Sequence, residues 1–471
     1  MPDNFAMTFS RRAFVSASSA FALTAAIGPR AFAQALPRSA DVVVIGAGAA
    51  GIAAARRVIA GKRSVIVVEA GTGVGGRCQT DTTSFGTAFD RGARFLHNPD
   101  SNVLIRLARA AGVEIYAAPP GQKLRIGRRN ARAGETETLL AALVRANRAI
   151  SDAAKRGDIA SASVQPKDLG IWNDTIRFLL GPYTTGKDLT ELSTLDQSRA
   201  VERLSEIGCR TGLGGLMQAM AQGLPVSLGT PVQGINWRGR ELSIDTPKGK
   251  IAARSIIVTV SSQVLASGHI RFTPDLPKRT LDAVNKLTLG STDRIALVLE
   301  GNPLGLGRDE LLIEQSSDAR TGVLLANIAG SSLCTVDVAG AFGRDLAAQG
   351  EAAMVAFATE WLTKLYGSDI AGAIRRTATT NWNAAPHILG AMSAAVPGGG
   401  GARKILAEPQ GNLFFAGEAT HETLWGSVDG AWESGERAAD AALAALGPLQ
   451  AAAPVAAGAP AKKPRKRKRA E

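Results

Sequence analysis

Cysteine and histidine are scarce: three of the first (Cys78, Cys209, Cys334) and four of the second in 471 residues. So few, so scattered, they build no disulfide framework and offer no metal-ligand spacing, which excludes a small stapled scaffold and predicts no metal site. Long apolar runs are missing too. Beyond the N-terminal region no segment reaches the ~20 uninterrupted apolar residues of a membrane span. Low complexity is confined to the ends, and with 45% hydrophobic and 20% charged residues the chain can bury a large core across two or three domains.

A net charge of +13 invites a nucleic-acid reading, but the seven basic residues from Lys462 to Arg469, less Glu471, account for +6 of it. The body is only mildly basic, and no specific nucleic-acid partner is expected. Gly447 to Ala461 is an Ala/Pro-rich linker without helical periodicity, so residues 448–471 are predicted to be a disordered tail. Its charge suits an anionic polymer or a membrane surface, and equally suits a solvated run without a partner.

At the other end Ser10-Arg11-Arg12-Ala13-Phe14-Val15 precedes a weakly apolar run, Ala13 to Ile27, and the small-x-small pattern Ala31-Phe32-Ala33. This predicts a twin-arginine export signal over residues 1–33 and a periplasmic or secreted mature protein starting near Gln34. That route carries folded cargo, which suits a protein loaded with its cofactor before export.

Asp41 to Ile45 is a β-branched run typical of a buried parallel strand, and it leads into Gly46-Ala47-Gly48-Ala49-Ala50-Gly51, then a helix-forming Ile52 to Ala60. Between strand and helix this G-x-G-x-x-G is a dinucleotide site. Gly46 permits the tight turn, Gly48 a close approach of pyrophosphate, and Gly51 close packing of helix on strand; Ala49 and Ala50 bring helix amides toward the phosphates. A second strand, Ser64 to Val68, ends in Glu69, eighteen residues after Gly51, where a carboxylate with neighbouring Ala70 accepts from ribose hydroxyls. A second glycine turn with a cation, Gly75-Gly76-Arg77, fits an extended FAD better than NAD.

Here the chain resembles the flavin-containing amine oxidase family, from about Asp41 to Leu446. Phe89 to His97 is similar to the segment beside the flavin ring, which implies cofactor contacts from Gly92, Ala93, Arg94 and Phe95. Thr230-Pro231-Val232 resembles the strand whose Val232 backbone holds adenine, and Phe272 to Pro277 the crossing into the substrate domain. Leu413 to Thr420, with Gly417 and Glu418, and then Trp425 to Gly435, opening on Gly426, Ser427 and Val428, resemble the last flavin-binding block. The helix N-terminus there would stabilise negative charge on a reduced ring.

The resemblance implies an α/β, two-domain fold: a Rossmann-like FAD domain (34–110, 205–275, 405–447) and a mixed sheet-and-helix substrate domain (111–204, 276–404). It also implies noncovalent FAD, since no cysteine stands where some members attach it. The implied activity is oxidation of a primary or secondary amine, polyamines among the candidates, with electrons passed to O2 or to a periplasmic carrier. A desaturase or protoporphyrinogen-oxidase-like enzyme, and a weakly active FAD-bearing binding protein, are the competing readings.

Three departures from the family pattern stand out. Arg294 occupies the place of a lysine that is bridged through water to the flavin, and a guanidinium does not accept protons. The aromatic pair that sandwiches the amine is replaced by Met392 and Ser427, which leaves Trp425 as the candidate aromatic face. The arginine that amino-acid oxidases use for a carboxylate is absent, with Phe95 in its place. The resemblance puts His97 near the substrate.

Overall fold

The computed structural model describes residues 37–448, apart from 120, 204 and 240. The expected export signal (1–33) lies outside the described residues, as does the expected tail beyond 448. In chain order the elements that matter for the site are β1 (Ser39–Ile45), α1 (Ala49–Ala60), β2 (Val65–Val68), α2 (Ala133–Ala154), β3 (Gly249–Val258), β4 (Thr292–Leu299), β5 (Leu333–Ala339), β6 (Leu413–Phe415) and α3 (Val428–Leu446).

The first sheet is centred on β1, whose Val42, Val43 and Val44 have no exposed surface. Burying each such side chain stabilises by roughly 1.5–3 kcal/mol, which is why a run hydrophobic on both faces becomes a central strand. β1 pairs in parallel with β3 on one side (Val43 opposite Ile256) and with β2 on the other (Val44 opposite Val67). The far end of β3 pairs in parallel with β6, Ile257 opposite Phe414, so residues more than 150 positions apart meet in one sheet. Helices α1 and α3 pack together over this sheet, in a cluster that includes Ala50, Ala54, Ala438 and Ala442. The approach needs Gly435, where a Cβ would stand 2.1 Å from the Ala50 carbonyl oxygen.

The second sheet has seven strands, in the order 374–379, β4, β5, 323–326, 310–314, 122–126, 129–130. β4 and β5 pair antiparallel, with Arg294 on β4 opposite Asp337 on β5. Helices at Gly340–Ala348 and Glu351–Tyr366 cover one face through Phe357, Trp361 and Leu362. α2 packs elsewhere, on Trp172, Ile176 and Ile313. The apolar stretches 295–299 and 321–328 fall in β4 and in the strand Val323–Ala326, and the helix-forming stretch 136–155 falls in α2. Among the described residues no helix is long and apolar enough to cross a membrane, and no group of three His, Cys, Asp or Glu could hold a metal ion.

Candidate active site

One cavity of about 1590 Å³ runs from the end of β1 to the face of the second sheet. A drug-sized pocket spans ~300–1,000 Å³, so this space accommodates an extended cofactor and a substrate together.

At the first-sheet end the chain leaves β1 through Gly46, whose φ of +103° suits glycine alone among common residues. A Cβ on Gly51 would sit 1.9 Å from the Gly46 carbonyl oxygen, so this glycine supports the turn from behind and does not line the cavity. At Gly48 the nearest atoms to an added Cβ are 3.9 Å away, on Gly75 and Gly76, so that hydrogen faces open space. The two glycine turns are tied together where Gly75 N donates to Ala47 O at 2.8 Å. Glu69 accepts from Ala47 N on one oxygen and from Gly71 N on the other, both at 2.7 Å. A carboxylate has about four acceptor positions, so capacity remains beside Ala70 and the cavity.

Halfway along, Arg77 and Glu418 face one another. Arg77 Nη1 donates to Glu418 Oε1 at 2.9 Å and also to Ala391 O. Glu418 accepts further from Ser393 N, Ser393 Oγ and Gly426 N, which occupies its acceptor positions with protein donors. Burial raises its pKa, but Arg77, Arg403 and these hydrogen bonds outweigh that and hold it below the ordinary value. Glu418 lines the cavity, and with its acceptors taken by protein donors it fixes the loops that form the wall. Gly417, Gly426, Ser427 and Val428 complete this wall, and Ser427 caps α3 by accepting from Gly430 N at 3.0 Å.

The second-sheet end carries a dense polar cluster. Arg294 donates to the carbonyls of Asp90 and Gly92, and its Nε lies 3.3 Å from Asp337 Oδ1. Arg94 donates to Asp337 and, at 2.8 Å, to Thr335 Oγ1. Arg94 lines the cavity, with its guanidinium turned to the substrate sheet. Gly92 and Ala93 line the cavity, and Gly92 is required because a Cβ would meet Arg77 O at 1.9 Å. Burial pushes the Asp90 carboxyl up to about 6 against hydrogen bonds from Thr80 and Leu213 N. His97 lines the cavity with its pKa pulled down to about 4, by burial first and by Arg203 second, so its ring is neutral at pH 7.

Two expectations change. Trp425 touches the cavity but is 2% exposed; its ring packs on Leu189, Leu192 and Ala394 with the Arg403 guanidinium 4.6 Å from its centroid. Its Nε1 donates to Asp196 O at 3.3 Å, so no open face remains for an amine. Val232 lines the cavity from an extended loop between short strands at 226–227 and 234–236, not from a strand. Phe95 lines the wall with Arg94 5.6 Å from its ring centroid. Cys78 also lines it, but burial pushes its thiol up to about 12 and leaves no thiolate for attachment chemistry.

Sequence reasoning missed Tyr183, Arg203, Glu206 and Asp337, all of which line the cavity. A lone acid inside the apolar run Leu333–Ala339 was a usable signal for Asp337. Tyr183 ends a π-helical turn, Leu179–Tyr183, a geometry that often marks functional positions. Arg203 and Glu206 lie in irregular chain and carried no signal.

These walls fit FAD. Twin glycine turns leave an approach for pyrophosphate, a carboxylate with spare acceptors stands at the end of β2, and a capped helix N-terminus opens at the wall halfway along. Residues 44–111 match the model of an NAD(P)-binding Rossmann-like domain, and residues 158–443 match that of the flavin containing amine oxidoreductases. Lysine-specific histone demethylase 2 of Homo sapiens is 26% identical over 446 residues, covering 85% of this chain and 53% of that protein. Polyamine oxidase 5 of Oryza sativa subsp. japonica is 29% identical over 447 residues, covering 85% and 87%. The chain spans about half the length of the first curated relatives it matches. Among solved structures, a double mutant of putrescine oxidase superposes with a TM-score of 0.75 at 19% identity, over 87% of this chain and 100% of that one. Cyclohexylamine oxidase from Brevibacterium oxydans IH-35A gives 0.74 at 20%, over 86% and 99%. The fold is the two-domain fold of these FAD enzymes, and the chain belongs to the flavin containing amine oxidoreductase family.

Proposed function

We propose that this protein oxidises a primary or secondary amine to an imine, which water hydrolyses to a carbonyl compound. The observation that carries this reading is a single cavity joining the glycine-lined end to the polar cluster on the second sheet. Noncovalently bound FAD supplies the chemistry, accepting the two electrons of the substrate C–H bond. Family membership, with relatives named polyamine oxidase, favours amine oxidation over the desaturase and binding-protein readings.

The chain's own groups position and exclude. Arg294 clamps the Asp90 to Gly92 segment against the cofactor wall, and its charge disfavours a protonated amine nearby. Neutral His97 adds no cation to that end. The electron acceptor is O2 or, because Arg294 offers no proton-accepting group where the family has lysine, a periplasmic carrier. Ser10 to Val15 supports export, and the basic tail supports a hold on an anionic surface.

The test is anaerobic bleaching of the flavin absorbance by polyamines, aromatic monoamines and amino acids, followed by air. Bleaching by one class is expected; none by any amine would remove the proposal. Export is checked by fractionating cells, where retention of the protein in the cytoplasm would oppose it.

A further inference from the structure

Arg203 stands where the resemblance places the amine-sandwiching aromatics. Its Nη2 is 3.2 Å from the point a Cβ on Gly426 would occupy, and the Cβ and sulfur of Met392 are each 3.4 Å from the same point. The guanidinium donates from Nη2 to Trp425 O at 2.8 Å. Nε and Nη1 have no acceptor among the described residues, yet they are not sealed off as the Nε atoms of Arg94 and Arg294 are, so they open into the cavity Arg203 lines.

No carboxylate of the described residues lies within 4 Å of it. Glu418 and Asp429 act on it from farther off, and burial outweighs them in lowering its pKa. Glu418 has its acceptors filled, as above. Among the described residues two cavity-lining guanidiniums, Arg91 and Arg203, have no ion-pair partner, unlike Arg94 and Arg294, which share Asp337, and of the two Arg203 is the one beside Gly426 and Met392. A desolvated, unpaired cation is costly, and a carboxylate with two oxygens matches the free edge of the guanidinium fork. A second cation in that place, such as the distal ammonium of a polyamine, would be repelled.

We propose that Arg203 is a specificity-determining residue that binds a carboxylate on the substrate, so that the amine oxidised is an amino acid or another carboxylate-bearing amine. This rests on the amine-oxidation reading and supplies, from a different stretch of chain, the cation that is missing at Phe95. Reaction balance is that of the parent reading: the C–H and N–H bonds lose two electrons to FAD and two protons, and the carboxylate is unchanged.

Two measurements on the FAD-loaded enzyme test it. Phenylalanine against phenethylamine, and β-alanine against ethylamine, are compared by anaerobic bleaching. At least one carboxylated member is expected to exceed its partner in limiting reduction rate divided by Kd, and Arg203→Met to collapse that ratio by about 100-fold, mostly through Kd, with Arg203→Lys in between. Titration with benzoate and with propionate, without turnover, is expected to perturb the flavin spectrum of the wild type and far less that of R203K. Preference for the amine lacking a carboxylate, or an unchanged ratio in both variants, would overturn the proposal. So would carboxylates that leave the wild-type spectrum unmoved. If no amine of either kind bleaches the flavin, the amine-oxidation reading fails instead, and the carboxylate titration still reports on Arg203.

Discussion

Arg77 Nη1 lies 2.9 Å from Oε1 of Glu418, an ion pair that joins loops 341 residues apart in sequence. Glu418 is also the acceptor for Ser393 and Gly426, so one buried carboxylate ties three cavity segments. Replacing it by glutamine leaves one amide oxygen for four donors and turns an NH2 group toward others. Breaking a buried, hydrogen-bonded pair costs about 3–5 kcal/mol. E418Q is expected to lose stability on that scale in urea unfolding, and to bind FAD at least about tenfold more weakly in a fluorescence titration because the Gly426 turn loses its anchor. Wild-type FAD affinity in E418Q would contradict this account.

The glycines of the first turn separate binding from folding. A methyl group at Gly48 meets nothing closer than 3.9 Å, whereas at Gly51 it would lie 1.9 Å from a carbonyl oxygen. G48A is expected to fold with apoprotein stability within about 1 kcal/mol of wild type and to lose FAD. G51A is expected to lose stability by several times as much, because strand and helix must separate. Equal stability of the two apoproteins would show that the turn tolerates what its geometry forbids.

Why the first end of the site was legible, and the second was not, follows from how each is built. β1, the glycines and α1 are contiguous, so period, turn chemistry and Glu69 all speak of the same local unit. Arg203 reaches the cavity from irregular chain, and its meaning depends on Gly426 and Met392, whose proximity is set by tertiary packing. Trp425 shows the converse: its residue type invited a cation-facing role, but Arg403 and the Asp196 carbonyl had already taken its face and its N–H. Sequence patterns place a residue on an element; they do not say which atoms have been spent.

Arg294 offers a test of electron transfer to oxygen. Its guanidinium serves the carbonyls of Asp90 and Gly92 and the Asp337 carboxylate at once, and one ammonium group does not reproduce that fork. R294K is expected to be less stable by about 1–3 kcal/mol but to present a group able to exchange a proton. Air-driven reoxidation of the reduced enzyme, followed in a stopped-flow instrument, is expected to accelerate about tenfold or more. A rate at or below that of wild type would mean that the arginine is not what limits reaction with oxygen.

Lys187 gives a pH dependence with a definite sign. The residue is 4% exposed, its ammonium donates to Thr288 Oγ1 and to Ala394 O at 3.1 Å, and burial pulls its pKa down from 10.5 to about 8. Between those values the unfolded chain holds the proton that the native protein has released, so stability rises with pH across that window. The burial cost is fully present below pH 8 and fades toward pH 10.5, a contribution on the order of 3 kcal/mol. Lys187→Met has no proton to release, so the difference in unfolding free energy between wild type and K187M should shift in favour of wild type by that order as pH rises from 7.5 to about 10. Other titrating groups are common to both proteins and cancel in the difference. A difference that stays flat over this range would mean that the Lys187 ammonium is as comfortable in the fold as in water.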